Sequence, residues 1–262
     1  MQNDTRESDH PAAYGRGLLV AGAVPGLLLI VLPLVGLLWR AVAVRAWAGL
    51  PGDGLSVAIW LSLYTTAAAT VMTVVLGTPL AFALARGMFP YNRMVNLLVE
   101  LPIVLPPAVA GLALLITFGR RGVLGGVGLS LPFTVYAVVL AQAFVAMPFY
   151  VRTAVVGFRN VPPVLEDAAR VDGANDRALF MWIVLPLAAR TLLAGALLGW
   201  ARAMGEFGAT LIFAGSLRGR TQTMPLYIYS VLERDVDAAV WAGVLLLGVA
   251  FVALSGSRWL GG

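Results

Sequence analysis

Six long apolar runs, separated by shorter polar stretches, set the rhythm of this chain: residues 18–38, 56–85, 95–118, 133–158, 181–214 and 238–259. A helix needs about 20 apolar residues to cross the hydrocarbon core of a bilayer. Each run is long enough, so the pattern predicts an all-α, polytopic integral membrane protein with about six transmembrane helices. The fifth run is too long for one straight crossing. Gly205-Glu206-Phe207-Gly208 marks where it can break, which would add a seventh, short element. Pro102, Pro106 and Pro107 interrupt the third run; each removes a backbone donor and kinks a helix.

One polar interruption differs from the rest. Residues 161–186, VPPVLEDAARVDGANDRALFMWIVLP, form a charged, helix-forming insert between two apolar runs. Pro162 and Pro163 suit a first helical turn, where a missing N–H costs nothing. Gly173 can take the left-handed conformation that ends a helix, and Asn175 or Asp176 can cap a second one. Small Ala168 and Ala169 let another surface come close, and Glu166, Asp167, Arg170, Asp172, Asp176 and Arg177 would orient it. The insert therefore reads as a docking piece for a soluble partner. From its residues alone, a solvated amphipathic helix at the membrane interface accounts for it equally well.

The domain reading is simple: a polar tail over 1–16, then one membrane domain over 17–262 with the connecting loop at 159–180. The first apolar run exceeds the ~7–15 residues of a signal-peptide core, so it reads as a retained span. Composition supports the membrane class: 60% of residues are hydrophobic and 12% charged, with a mean hydropathy of +0.88. The net charge of +5 comes from 18 basic residues, all arginine. In so apolar a chain that balance points to anionic lipid headgroups before nucleic acid. With six spans both termini share a side. Placing them in the cytoplasm puts ten arginines inside and seven outside, which agrees with the positive-inside tendency.

Missing residue types exclude much chemistry. There is no cysteine, hence no disulfide or sulfur-ligated metal. There is no lysine, hence no Walker A lysine and no P-loop ATPase within this chain. The single histidine, His10, lies in the polar tail, so neither histidine-based catalysis nor a clustered metal site is expected.

The series Asp167-Ala168-Ala169, three residues, Gly173, nine residues, Ile183, one residue, Leu185-Pro186 resembles the "EAA" loop of ABC importer permeases, with Asp167 at the place of the family's glutamate. Glu100-Leu-Pro-Ile-Val-Leu-Pro-Pro107, Phe118-Gly-Arg-Arg-Gly122, Gly205-Glu-Phe-Gly-Ala-Thr-Leu-Ile-Phe-Ala-Gly215 and Arg220-Thr-Gln-Thr-Met-Pro225 look like the molybdate branch, from which tungstate permeases are not separable. Sulfate permeases are similar but tend to differ after the Gly-Glu-aromatic-Gly element. The resemblance implies a type I importer permease fold in a cell membrane. It implies a homodimer with one pathway, two ATPase subunits docked on the loop, and an extracytoplasmic oxyanion-binding protein. ATP and magnesium would belong to the ATPases, leaving this chain without cofactor or bond chemistry. The ATPase-coupling residues would be Glu166, Asp167, Ala168, Ala169, Gly173, Ile183, Leu185 and Pro186.

Pathway or gate candidates come from the spans. Arg202 and Glu206 lie four apart and share a helix face, where pairing is expected because an unpaired charge at membrane depth costs at least ~2.5–3.5 kcal/mol. They read equally as a pathway element and as a neutralised structural pair. Ser62, Thr66, Thr70, Thr73 and Gly77 form a stripe that suits either oxyanion passage or, more simply, helix packing. Pro106, Pro107 and Thr210 complete the set. Two rivals of other classes remain: an ion-coupled secondary transporter using the carboxylates Glu100 and Glu206, and a membrane-embedded enzyme limited to carboxylates and hydroxyls.

The orientation is testable because the chain offers no native thiol. A Ser216→Cys variant should react with an impermeant maleimide added from outside the cell and should be silent to reagent confined to the cytoplasmic side. The opposite pattern would invert the topology.

Overall fold

The computed structural model describes residues 13–47, 54–125 and 131–261. The tail with His10, and residues 126–130 of the loop after the third apolar run, lie outside them. Among the described residues every regular element is helical. In chain order these are α1 (Ala13–Ala43), α2 (Gly54–Ala85), α3 (Asn92–Val104), α4 (Pro107–Phe118), α5 (Val135–Arg159), α6 (Pro163–Val171), α7 (Asp176–Leu179), a π-helical turn (Phe180–Val184), α8 (Leu185–Met204), α9 (Gly208–Ala214), α10 (Met224–Leu232) and α11 (Val236–Gly261). Five helical stretches are long and apolar enough to span a membrane, and the pair α3–α4 makes a sixth if its two limbs count as one.

The third apolar run departs from the continuous kinked helix that the sequence suggested. It is two helices meeting at 114°. Pro106 and Pro107 stand back to back, so neither can donate to the carbonyls of Pro102 and Ile103 one turn earlier. The chain leaves the helix there, with ψ of 130° at Leu105 and 135° at Pro106. The fifth run breaks at Gly205–Phe207. The stretch 216–237, a connecting loop in the sequence reading, carries the further short helix α10.

Helix α5 is the most enclosed span and packs on α2, α8 and α9. Helix α1 is the least enclosed and touches α11. Lipid offers no hydrophobic drive for helices to associate, so contact depends on close van der Waals fit through small residues. The stripe on α2 follows that rule: Ser62, Thr66, Ala69, Thr73, Gly77 and Ala81 are all buried. A Cβ on Gly77 would sit 2.7 Å from the ring of Tyr150, whose hydroxyl is hydrogen-bonded to Thr78 at 2.6 Å. At the α10 end, Arg40 of α1 meets Asp237 of α11 at 3.0 Å, and Trp47 packs edge-on against Trp241 at 6.2 Å.

A close backbone approach joins the two broken runs. A Cβ on Gly111 of α4 would lie 2.8 Å from both the Ala209 carbonyl oxygen and the Ile212 side chain of α9. Backbone cannot yield as a flexible side chain can. Gly111→Ala should therefore lower the thermal midpoint in detergent, by an overpacking cost of about 1–3 kcal/mol. Gly22→Ala, with nothing within 4 Å, should leave it unchanged or raised.

Candidate functional site

Two regions hold the residues singled out from the sequence. The first is α6 and its surroundings. Pro162 precedes the helix with extended ψ of 124°, Pro163 opens it, and Gly173 beyond its end has φ of +89°. Asn175 caps α7 by accepting from the Ala178 amide at 2.8 Å. Glu166 sits in the first turn of α6 and Arg170 in the last, both favourable to the helix dipole. Arg170 also reaches Asp176 at 3.0 Å, but both are well exposed, so that pair adds little.

The eight loop residues fall on different faces. Asp167 and Ala168 point outward with Gly173 and Pro186 also exposed, whereas Ala169, Ile183 and Leu185 pack against the core of Leu84, Val151, Phe158 and Val184. Glu166 turns back to the membrane helices and is ion-paired with Arg86, just past the end of α2. On the outward face, Val164 is 74% exposed and Val171 87%, flanking Ala168 at helical spacing. Covering either valine would be worth about 1.5 kcal/mol or more.

The second region is the junction of α8 and α9 with α3 and α4. Arg202 donates through Nη1 to Glu206 Oε2 at 3.0 Å. Glu206, with 1% of its side chain exposed, accepts the Ala209 amide on its other oxygen at 2.8 Å. The carboxylate thus caps α9 while it neutralises the cation. Pro107 lies against Gly208, where a Cβ would come within 2.6 Å of the proline ring. A cavity of about 100 Å³ opens beside the break, lined by Pro102, Leu105, Pro107, Val145, Phe149 and Arg202 among others. Pro106 is exposed. Thr66 of α2 contacts the end of α8 through Met204 Sδ at 3.9 Å and accepts from Gln142 Nε2 of α5 at 3.3 Å. Thr70 instead donates to its own helix, to the Thr66 carbonyl at 2.7 Å. Thr210 is buried, with no partner for its hydroxyl among the described residues. So Arg202, Glu206 and Pro107 form one constellation, with Thr66 beside it across Met204, while Thr70 is spent locally.

Glu100 is not the buried carboxylate the secondary-transporter reading needed. It is 42% exposed and faces Arg152 at 3.4 Å. The Thr221-Gln222-Thr223 segment ties the α10 end together. Thr221 Oγ1 accepts the Leu217 amide at 3.0 Å and donates to the Gly215 carbonyl at 3.1 Å; Gln222 donates to Ser216 and Ser230. The Met224 amide donates to Ser62 Oγ at 2.7 Å, pinning α10 to α2. Burial pushes the Tyr227 hydroxyl of α10 above its ordinary range; Arg218 opposes the shift and Asp235 adds to it.

Arg86 and Gln142 escaped the sequence reading. Gln142 is a lone amide in an apolar run, a signal that was available. Arg86 looked like an ordinary span-end arginine, and its partner is 80 residues away.

A multi-pass helical bundle with two interrupted spans and an extramembrane helix with an open apolar stripe has the build of a transport permease. Residues 74–258 match the model of the binding-protein-dependent transport system inner membrane component, and the chain belongs to that family of ABC transporter permeases. It is 40% identical over 238 residues to the molybdenum transport system permease protein ModB of Mycobacterium tuberculosis, covering 89% of this chain and 90% of that one. To ModB of Escherichia coli K12 it is 33% identical over 210 residues, covering 78% and 92%. Among solved structures, a bacterial ABC transporter that imports the acidic polysaccharide alginate aligns with a TM-score of 0.72 at 18% identity, covering 94% of this chain and 96% of that one. The inward-facing MetNI methionine ABC transporter aligns with a TM-score of 0.66 at 18% identity, covering 79% and 94%. The likeness to molybdenum permeases seen in the motifs thus extends over most of the chain.

The Arg202–Glu206 geometry predicts an ordered pair of effects. Glu206→Ala removes the α9 cap and strands Arg202; the loss should be about 3 kcal/mol, the low end for a broken buried pair because Arg202 keeps 31% of its side chain exposed. Glu206→Gln keeps an acceptor for the Ala209 amide and should lose less. Thermal unfolding in detergent reads both; equal losses would mean that the cap contributes nothing.

Proposed function

We propose that the chain forms the membrane pathway for molybdate or tungstate in an ATP-driven importer. It works as a homodimer, with two ATPase subunits docked on α6 and an extracytoplasmic oxyanion-binding protein on the opposite face. Both termini and α6 lie in the cytoplasm. ATP and magnesium bind to the ATPase subunits, and this chain supplies no cofactor and breaks no bond. Closure of the ATPases on ATP moves α6 and opens the pathway outward; hydrolysis resets it.

The observation that carries this reading is the outward face of α6. Val164, Ala168 and Val171 offer an apolar strip with Asp167 beside it, and the small Ala168 admits close approach. The names of the molybdenum permease relatives support the substrate. Arg202, Glu206, Thr66 and the prolines Pro106 and Pro107 are the pathway residues of this proposal, and Thr210 stands among them. Thr70, bonded to its own helix, contributes chiefly to packing. Molybdate, tungstate and sulfate are all tetrahedral dianions, so size rather than net charge separates them. The binding protein applies that filter, and the permease selects by polarity and gating.

The complex reconstituted in vesicles with its own binding protein should accumulate molybdate only when ATP is present, and sulfate poorly. Sulfate uptake with molybdate ignored would overturn the substrate. Uptake on an ion gradient without ATP would overturn the mechanism. In the same assay, Ala168→Arg should weaken ATPase co-purification and uptake by about fivefold or more, the equivalent of a 1–3 kcal/mol steric penalty at a packed surface. Normal assembly and uptake in that variant would remove α6 from the interface.

A further inference from the structure

The outward face of α6 accounts for docking but not for how a push on α6 reaches the spans. Helix α6 continues covalently into α5 on one side and, through α7 and the π-helical turn, into α8 on the other. Its link to α2 is not covalent. That link is the Arg86–Glu166 ion pair, the one hydrogen-bonded side-chain contact between α6 and a membrane helix region among the described residues.

The surroundings of Arg86 make the pair more than a surface contact. Its side chain is 25% exposed and that of Glu166 13%, so both charges are largely withdrawn from water. The guanidinium lies 5.5 Å from the centre of the Phe82 ring, one turn earlier on α2. Phe82 packs edge-on against Phe158 at 5.4 Å and Phe180 at 4.9 Å. Phe158 is the last aromatic before the loop and Phe180 the first residue of the π-helical turn after it. The aromatic cluster thus clamps both ends of the loop to the end of α2. Arg86 extends the clamp to the first turn of α6, on the side opposite Val164, Ala168 and Val171. Two further features support this placement: Gly87 turns with φ of +65°, and Asn92 Nδ2 donates to the Leu84 carbonyl at 3.1 Å, fixing the end of α2.

We propose that Arg86 is a positioning residue for energy coupling: it straps the inner face of α6 to α2, so that displacement of the docked helix moves α2 together with α5 and α8. Helix α2 carries the buried Thr66 that contacts Met204 at the end of α8, next to the Arg202–Glu206 constellation, so a strapped α2 links the docking helix to the broken spans. The inference rests on the reading of α6 as the ATPase docking helix. It adds that docking and transmission use opposite faces of that helix.

The test uses the complete complex of permease, ATPase and binding protein in vesicles. Arg86→Gln should still co-purify its ATPase, because the docking face is untouched, but should take up about tenfold less molybdate per ATP hydrolysed, within the usual range of coupling between sites. Arg86→Lys, which keeps the charge, should stay closer to wild type, and the exchanged pair Arg86→Glu with Glu166→Arg should recover most of the loss. An uptake-to-hydrolysis ratio for Arg86→Gln within twofold of wild type overturns the proposal. So does an exchanged pair as defective as the single variant. Loss of ATPase co-purification in Arg86→Gln would assign the pair to docking and also overturn it. If wild-type chain binds no ATPase, the docking reading itself fails and the strap fails with it. Docking defects in Ala168→Arg together with normal coupling in Arg86→Gln would sink the strap alone.

Discussion

Every backbone polar group within a hydrocarbon layer must find its partner inside the protein. This structure breaks two of its spans, at Leu105–Pro106 and at Gly205–Phe207, and the limbs that follow the two breaks pack on each other. Pro107 seats on Gly208, and Gly111 lets α4 lie against the backbone of α9. Glu206 supplies an acceptor for the Ala209 amide in the first turn of α9, and Arg202 neutralises the acid that does so. A charged pair that looks costly in a membrane segment is thus what allows the chain to interrupt a helix there. Permitted breaks beside a cavity are also where transporters place moving parts.

The remaining packing follows from the absence of a hydrophobic drive between helices in lipid. Only close fit holds α2, α5 and α8 together, and close fit requires glycine, alanine, serine and threonine at the contacts. The hydroxyl stripe on α2 is largely explained this way. Ser62 pins α10, Thr70 bonds its own helix, and Gly77 admits Tyr150. Thr66 differs, because its partners are Gln142 on α5 and Met204 at the broken span. One threonine of the stripe, rather than its whole length, thus reaches the broken span.

The loop beyond the spans has a similar division. Eight residues stand out in sequence, but they do not act as one surface. Ala169, Ile183 and Leu185 build the hydrophobic foundation, Gly173 turns the chain, and Glu166 faces the membrane helices, leaving Asp167 and Ala168 with the two valines on the open side. A single nine-residue helix thereby leaves one face open and turns the other to its own spans.

The sequence by itself determined the class, the helical spans, the break within 205–208 and the charged, helix-forming insert between two spans. These depend on local quantities: run length against bilayer thickness, glycine and proline backbone limits, and helix-capping residues at fixed spacing. The family motifs were equally legible because they are short and contiguous. What only the tertiary structure decided were relations between distant residues. The 114° turn at the paired prolines goes with the seating of Pro107 on Gly208 beside α9. The exposure of Glu100, the pairing of Arg86 with Glu166, and the meeting of Gln142 with Thr66 each join separate helices. Helical periodicity says which residues share a face of one helix; which face meets which neighbour is set by shape and polar satisfaction across the whole bundle, and no local pattern encodes that.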